Sequence, residues 1–245
     1  MLEPAWSRIL AGIGLDRLPK GCTFLFQGPS GSGKTILADN LIFEHLASGK
    51  NAVILTLSRS PRSVMESISS LGTFNKQRLF EIDGYSWLTG EDISKDKYAL
   101  ANLSNLNDLS IMVSKLLSVV GEGSLFVFDH VSTILNYNAE EHVLRLLYTL
   151  IARIREAQDW AIVTLESDIH TQSFYNSVRF FVDCVIDFKI EEIEGAIYRS
   201  IRVQRANFPI RDTKWLNFEV EPNGRFVLQP TLYSLGGERK EKKAR

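Results

Sequence analysis

Apolar runs of strand length alternate with stretches of helical spacing along most of the chain. "CTFLFQ" at 22–27 is continuous and apolar and stops at Gly28, the pattern of a strand buried on both faces. After a glycine-rich stretch, Ile36, Leu37, Leu41, Phe43 and Leu46 recur at near-helical spacing, and Ser48-Gly49 supplies a stop. "NAVILTL" at 51–57 predicts a second buried strand. "PRSVMESISSLG" predicts a short helix opened by Pro61 and closed by Gly72. "RLFEIDG" at 78–84 reads as a third strand, and the polar stretch from Tyr85 to about Ala101 as a long loop. Leu106, Leu109, Val113, Leu116 and Val120 form one helical face. Val143, Leu146, Leu147, Leu150, Ile151 and Ile154 form another, behind the strand "SLFVFD" at 124–129.

"WAIVTLE" at 160–166 and "VDCVIDF" at 182–188 are predicted strands. "AIYRSIRVQRA" and "LNFEVEPNGRFVL" close the chain, with a tight turn at Asn223-Gly224. Strands alternating with helices, then strands in succession, predict an α/β fold. Its sheet is mostly parallel and flanked by helices, with antiparallel C-terminal strands. Residues 1–235 read as one domain, and the tail at 236–245 as a charged, disordered end with five basic and two acidic residues.

Composition changes this picture little. The 245 residues are 44% hydrophobic and carry a formal net charge of -1, so no global field gathers nucleic acid or anionic membrane. There is no apolar run of membrane-spanning length and no signal-peptide pattern at the start. Cys22 and Cys184 each lie in an apolar run and are expected to be buried, reduced thiols of a cytoplasmic protein. Four histidines and two cysteines without H-x-x-x-H or C-x-x-C spacing argue against a metal cage.

The chemistry concentrates in "GPSGSGKT" at 28–35, which fits G-x-x-x-x-G-K-[ST] at every position. Gly28, Pro29, Ser30, Gly31, Ser32 and Gly33 let successive backbone N–H groups turn onto a β-phosphate. Lys34 brings positive charge to the β- and γ-phosphates, and the Thr35 hydroxyl is placed to ligate Mg²⁺. ATP with Mg²⁺ is therefore the expected ligand. A magnesium site of this kind needs an acid at the tip of a neighbouring strand, and Asp129 follows four consecutive apolar residues.

With those residues in place, the chain resembles the RecA superfamily and, within it, the KaiC-like ATPases. "GLD" at 14–16, "LPKG" at 18–21, the "SGK" turn, "AVILTL" before a Pro, "LFVFDHVSTIL" and "AIVTLES" carry the likeness. It covers about residues 11 to 230. The "F-x-V-x-P" ending at Phe218 to Pro222 is similar to that of the accessory ATP-binding protein of the archaellum motor. The resemblance implies a RecA-like P-loop core, self-association into a ring with nucleotide at subunit borders, and a protein partner such as a motor component.

The same resemblance exposes a departure. Such chains end the second strand in one or two glutamates that polarise the attacking water, and here the aligned residues are Ser58 and Arg59. Serine is a poor proton acceptor at neutral pH and arginine stays protonated. Binding should survive and turnover should be slow. Glu166, at the position the superfamily gives to a γ-phosphate sensor, is the substitute base to test, with Asp83 a weaker one. Arg59 is either a cation near the γ-phosphate or a solvated surface residue. The Lys-x-Arg pair that reaches a neighbour's phosphate is matched only by Arg205, with Asn207 in the second place.

A nucleotide-dependent regulatory or scaffolding protein is thus expected. The alternative is a working ATPase acting on DNA or a protein partner, with Glu166 as base. The loops after Asp129 and Glu166 hold no Lys or Arg in "HVSTILNYNAEEH" and "SDIHTQSFYNS", which weighs against DNA. Tyr137, Phe174 and Tyr175 there are read as core or interface aromatics. A small-molecule kinase would need an arginine-rich lid, and none is evident.

Overall fold

The computed structural model describes residues 2–89 and 98–229. Nine strands form one sheet: β3 (Thr23–Gly28), β4 (Ala52–Thr56), β5 (Leu79–Asp83), β6 (Leu125–Phe128), β7 (Trp160–Glu166), β8 (Cys184–Ile193), β9 (Ala196–Ala206), β10 (Leu216–Val220) and β11 (Phe226–Leu228). Their order is β11-β10-β9-β8-β3-β7-β6-β4-β5, parallel from β8 to β5 and antiparallel from β8 to β11. The predicted α/β class and the antiparallel C-terminal strands are therefore observed.

The continuous apolar runs are explained by helices on both faces. Along β3, Leu25 faces one core while Phe24 and Phe26 face the other, and β6 divides Phe126 and Phe128 from Leu125 and Val127 in the same way. The first core is covered by α4 (Leu106–Val120), α6 (Glu140–Glu156) and α7 (Gln172–Phe181). The second is covered by α2 (Lys34–Ala47) and α3 (Pro61–Ser70). Local chemistry sets the helix ends. Ser60 caps α3 by accepting from Ser63 N, with Pro61 at the first helical position. α6 carries Glu140 and Glu141 in its first turn and Arg153 and Arg155 in its last.

Four features escape the periodicity argument. The N-terminus contributes α1 (Arg8–Gly12) and a small antiparallel sheet of β1 (Leu2–Pro4) and β2 (Arg17–Pro19). A four-residue helix, α5 (Ser132–Leu135), follows Asp129. α7 replaces the loop expected after Glu166; Thr171 caps it, and Phe174, Tyr175 and Val178 form its buried face. β8 runs on to Ile193 and turns into β9 through Glu194-Gly195, both with positive φ, as a two-residue hairpin requires.

The expected turn at Asn223-Gly224 joins β10 to β11, with Gly224 at φ 84°. Asn40 of α2 donates to Gly224 O and accepts from Phe226 N, so this hairpin is tied to the helix that follows the glycine-rich loop. Cys22 and Cys184 are free and buried. Phe174 and Tyr175 belong to the core, whereas Tyr137 is 42% exposed and packs edge-on against Trp87. The long loop begins with a short 3₁₀ turn at Ser86–Thr89 and returns at Ala99, beside Asp83. Residues 90–97 and the tail at 236–245 lie outside the described residues. Among the described residues no helix is long and apolar enough to cross a membrane.

Candidate functional site

Parallel strands deliver their C-terminal ends to one edge of the sheet, and the site is assembled there. Across that edge, β4 presents Arg59, β6 presents Asp129, β7 ends in Glu166 and β3 opens into the loop at Gly28. Gly28 stands opposite Glu166 in the β3–β7 register, which sets the carboxylate beside the loop. A Cβ on Gly28 would lie 2.6 Å from Phe188 O, and one on Gly33 would lie 2.8 Å from Phe218 Cζ. Gly33 also has φ 102° as the residue that starts α2, so no side chain fits there. The phenyl of Phe218 is stacked on Phe226 at 4.3 Å between centroids, so the loop rests on the closing strands.

The Lys34 ammonium is nearly fully buried and donates to Gly28 O and Pro29 O, both at 2.8 Å, and to Glu166 Oε2 at 3.0 Å. Burial holds its pKa below the ordinary lysine value, with the Glu166 carboxylate opposing that shift. The Thr35 hydroxyl donates to Asp129 Oδ1 at 3.1 Å and lies 3.1 Å from His130 Nε2. Asp129 is 1% exposed. Its Oδ1 accepts a second hydrogen bond from the Thr164 hydroxyl at 3.0 Å, while its Oδ2 is buried without a hydrogen-bond partner. The Ser32 hydroxyl of the loop is likewise buried and unpaired. Native interiors leave few such groups, so orphaned atoms at Ser32 and Asp129 fit a site that receives polar ligand atoms. A hydroxyl and a carboxylate oxygen side by side are the donor set that suits Mg²⁺ in the presence of phosphate oxygens.

The predicted residues Gly28 to Thr35, Asp129 and Glu166 therefore converge. Arg205 does not join them in its own chain. Its register partner is Val185, near the start of β8, and its guanidinium donates to Arg179 O at 2.6 Å and Val182 O at 2.8 Å, closing the end of α7. The arginine of β9 that reaches the loop is Arg199, six positions earlier and roughly 20 Å away along the strand; its Nε donates to Gly31 O at 3.0 Å. Asp83 accepts from Tyr85 N and Ser86 N, both at 2.9 Å, and so serves the turn after β5.

Arg59 is not the solvated surface residue that was one expectation for it. Its side chain is 17% exposed and grips Asp39 of α2 with both terminal nitrogens, at 2.7 and 2.5 Å. Nη2 also lies 3.7 Å from Asp129 Oδ2. Burial works against the charge on Arg59, but Asp39 more than compensates and holds its pKa above the ordinary value. Burial raises the pKa of Asp39, against the pull of Arg59 and of Ser67, whose hydroxyl donates at 2.6 Å. Next to this pair, burial and then the charge of Asp83 push Glu81 up to about 7.

His130 was not legible as a site residue. It has φ 59°, its N–H donates to Thr164 Oγ1 at 2.7 Å, and its Nδ1 stands 3.4 Å from Glu166 Oε1. It thus spans the space between Thr35 and Glu166, and its only sequence signal is adjacency to Asp129. Among the described residues no group of three or more His, Cys, Asp or Glu side chains could hold a metal by itself.

Comparison with known proteins places this geometry in a family. The model described as "ATPase: KaiC" matches residues 9–231. A UPF0273 protein of Thermotoga maritima is 24% identical over 244 residues, covering 94% of this chain and 98% of its own. A UPF0273 protein of Saccharolobus solfataricus is 25% identical, covering 82% of this chain and 74% of its own. The circadian clock oscillator protein KaiC 1 of Synechocystis is 29% identical over 61% of this chain, which spans 28% of that longer protein. Among solved structures, a KaiC-like protein of Pyrococcus horikoshii superposes with a TM-score of 0.70. It is 19% identical, covers 94% of this chain and 99% of its own, and supports the fold alone.

Proposed function

Because the chain belongs to the KaiC family of ATPases, we propose that it binds ATP with Mg²⁺, hydrolyses it slowly or not at all, and uses the bound nucleotide to control contacts with a protein partner. One observation carries this reading. Thr35, Asp129 and Lys34 converge at the glycine-rich loop, while Arg59, at the place expected for the water-polarising carboxylate, is bound to Asp39. Lys34 would give up Glu166 to supply positive charge to the β- and γ-phosphates, and Thr35 and Asp129 would hold the metal. A positioned base contributes about 10²–10⁴ in rate, and Arg59 offers none.

The γ-phosphate would then order the loops beyond β6 and β7, where α5 and α7 begin, and so present or withdraw a docking surface. A second copy of the chain in a ring and a motor component of the archaellum type are the partners to try first. The "F-x-V-x-P" likeness adds little to the second, because Phe218 is accounted for by packing under Gly33. A role for Arg205 at a neighbour's phosphate would require it to leave the carbonyls it now caps.

A second reading has its own observation. Glu166 lies beside Lys34 and His130, and there a carboxylate could order water if the γ-phosphate enters next to Lys34. Purified protein with Mg²⁺ separates the two through the ATP dissociation constant and single-turnover hydrolysis over hours. Tight binding with turnover no faster than Lys34→Ala supports the slow-hydrolysis reading. Robust turnover that Glu166→Gln abolishes replaces it with the second.

A further inference from the structure

The geometry points to Arg59 as a resident counter-cation of the metal site, one that partly substitutes for Mg²⁺ and makes nucleotide binding by this protein nearly independent of the divalent ion. This rests on the reading of Gly28 to Thr35 with Asp129 as an ATP·Mg²⁺ site.

The argument begins at Asp129. A buried carboxylate oxygen without a donor is costly, and Oδ2 has none. What faces it is Arg59 Nη2 at 3.7 Å, too long for a hydrogen bond and short enough for strong Coulombic attraction in a buried setting. A guanidinium cannot shed its proton and is weakly hydrated, so this charge is permanent and stays in place. The anchor is firm: Asp39 takes both terminal nitrogens, and the Thr56 hydroxyl donates to Arg59 O at 2.5 Å.

One guanidinium is shared by two carboxylates, with Asp39 holding it the more closely. Asp129 is therefore partly neutralised before any metal arrives. Mg²⁺ entering beside Thr35 meets a weakened carboxylate and a fixed positive charge, so it adds less to nucleotide affinity than it would at an unopposed acid. The positive charge that the phosphates need is partly present already, in Lys34 and Arg59.

Two variants move the effect in opposite directions. Asp39→Asn releases the guanidinium to close on Asp129 and should reduce the contribution of Mg²⁺ further. Arg59→Leu combined with Asp39→Leu removes both charges of the close pair together, so that Asp39 is not stranded, and leaves Asp129 to the metal alone. The experiment is the dissociation constant of a fluorescent ATP analogue, in excess Mg²⁺ and in EDTA, for wild type and both variants, with urea midpoints recording folding. Removing Mg²⁺ is expected to weaken binding roughly threefold in wild type and on the order of thirtyfold in the double variant. Asp39→Asn should respond no more than wild type. Equal responses in wild type and the double variant would overturn the assignment and leave Arg59 as a structural partner of Asp39. Should the double variant not fold, a larger metal response in Asp39→Asn than in wild type overturns it. No binding by wild type in either condition overturns the ATP reading as well, whereas tight binding with a large wild-type metal response overturns only the role of Arg59.

Discussion

The two halves of the sheet's C-terminal edge are built from the same residue types to opposite ends. On the β3–β7 side, Lys34 is paired with Glu166, while Ser32 Oγ and Asp129 Oδ2 are left without hydrogen-bond partners. On the β4–β5 side, Arg59 and Asp39 are joined by two short hydrogen bonds, although Arg59 Nε and Glu81 Oε1 stay unpaired, and Glu81 is pushed towards its neutral form. The first half holds polar atoms free of hydrogen-bond partners, and the second commits its guanidinium first to Asp39, with Asp129 facing it at 3.7 Å. An ionised side chain at a strand tip is thus not by itself catalytic equipment. What matters is whether its charge is already spoken for.

The largest expected effect comes from breaking the Arg59–Asp39 pair. Arg59→Leu leaves Asp39 buried and unpaired and should cost about 3–5 kcal/mol in urea unfolding, because a stranded ion loses its compensation. Arg59→Leu with Asp39→Leu should recover most of that loss. If the single and double variants unfold alike, the pair does not hold the second half together.

Breaking the open half should spare the fold and remove the ligand. Lys34→Ala is expected to weaken ATP binding about a hundredfold, the worth of charge-assisted hydrogen bonds to phosphate, with little change in urea midpoint. Isothermal titration checks this, and unchanged affinity would mean that nucleotide binds elsewhere.

Titration sharpens the comparison. The folded-state pKa of Glu81 lies near 7 against an ordinary 4.5, so the folded protein holds more protons than the unfolded chain between those values. The contribution of Glu81 is therefore fully present below pH 4.5 and is lost as pH rises through 7, by roughly 1–3 kcal/mol. Asp159, raised to about 6 chiefly by burial, acts in the same direction. Glu81→Gln should flatten only its own share of the slope, and a slope identical to wild type would show that Glu81 titrates normally.

The smallest effect tests the pairing on the open side. Glu166→Gln removes the carboxylate that occupies Lys34 and repels phosphate, so ATP affinity should rise by about fivefold in a binding titration. A loss of affinity would instead make Glu166 a direct contributor to nucleotide binding.

Several elements were legible from local pattern because their causes are local. The apolar run of β3, the glycine spacing of 28–35 and the apolar run before Asp129 each carry their explanation within a few residues. α7 was missed because its apolar face is only Phe174, Tyr175 and Val178, short enough to read as a loop. Arg199 carries no motif, and only the antiparallel pairing of β9 with β8 brings its side chain to Gly31.

By itself the sequence determined the fold class, the phosphate-binding loop, its lysine and hydroxyl, the acid opposite them and the absence of a glutamate at Ser58 and Arg59. These follow from spacing along one chain segment at a time. Only the tertiary structure decided that Glu166 pairs with Lys34, that His130 lies between Thr35 and Glu166, and that Arg59 belongs to Asp39 rather than to solvent. Those relations join residues 20 to 132 positions apart. Strand order and register bring them within reach, and the strength of a charge there depends on burial and partners that no single segment contains.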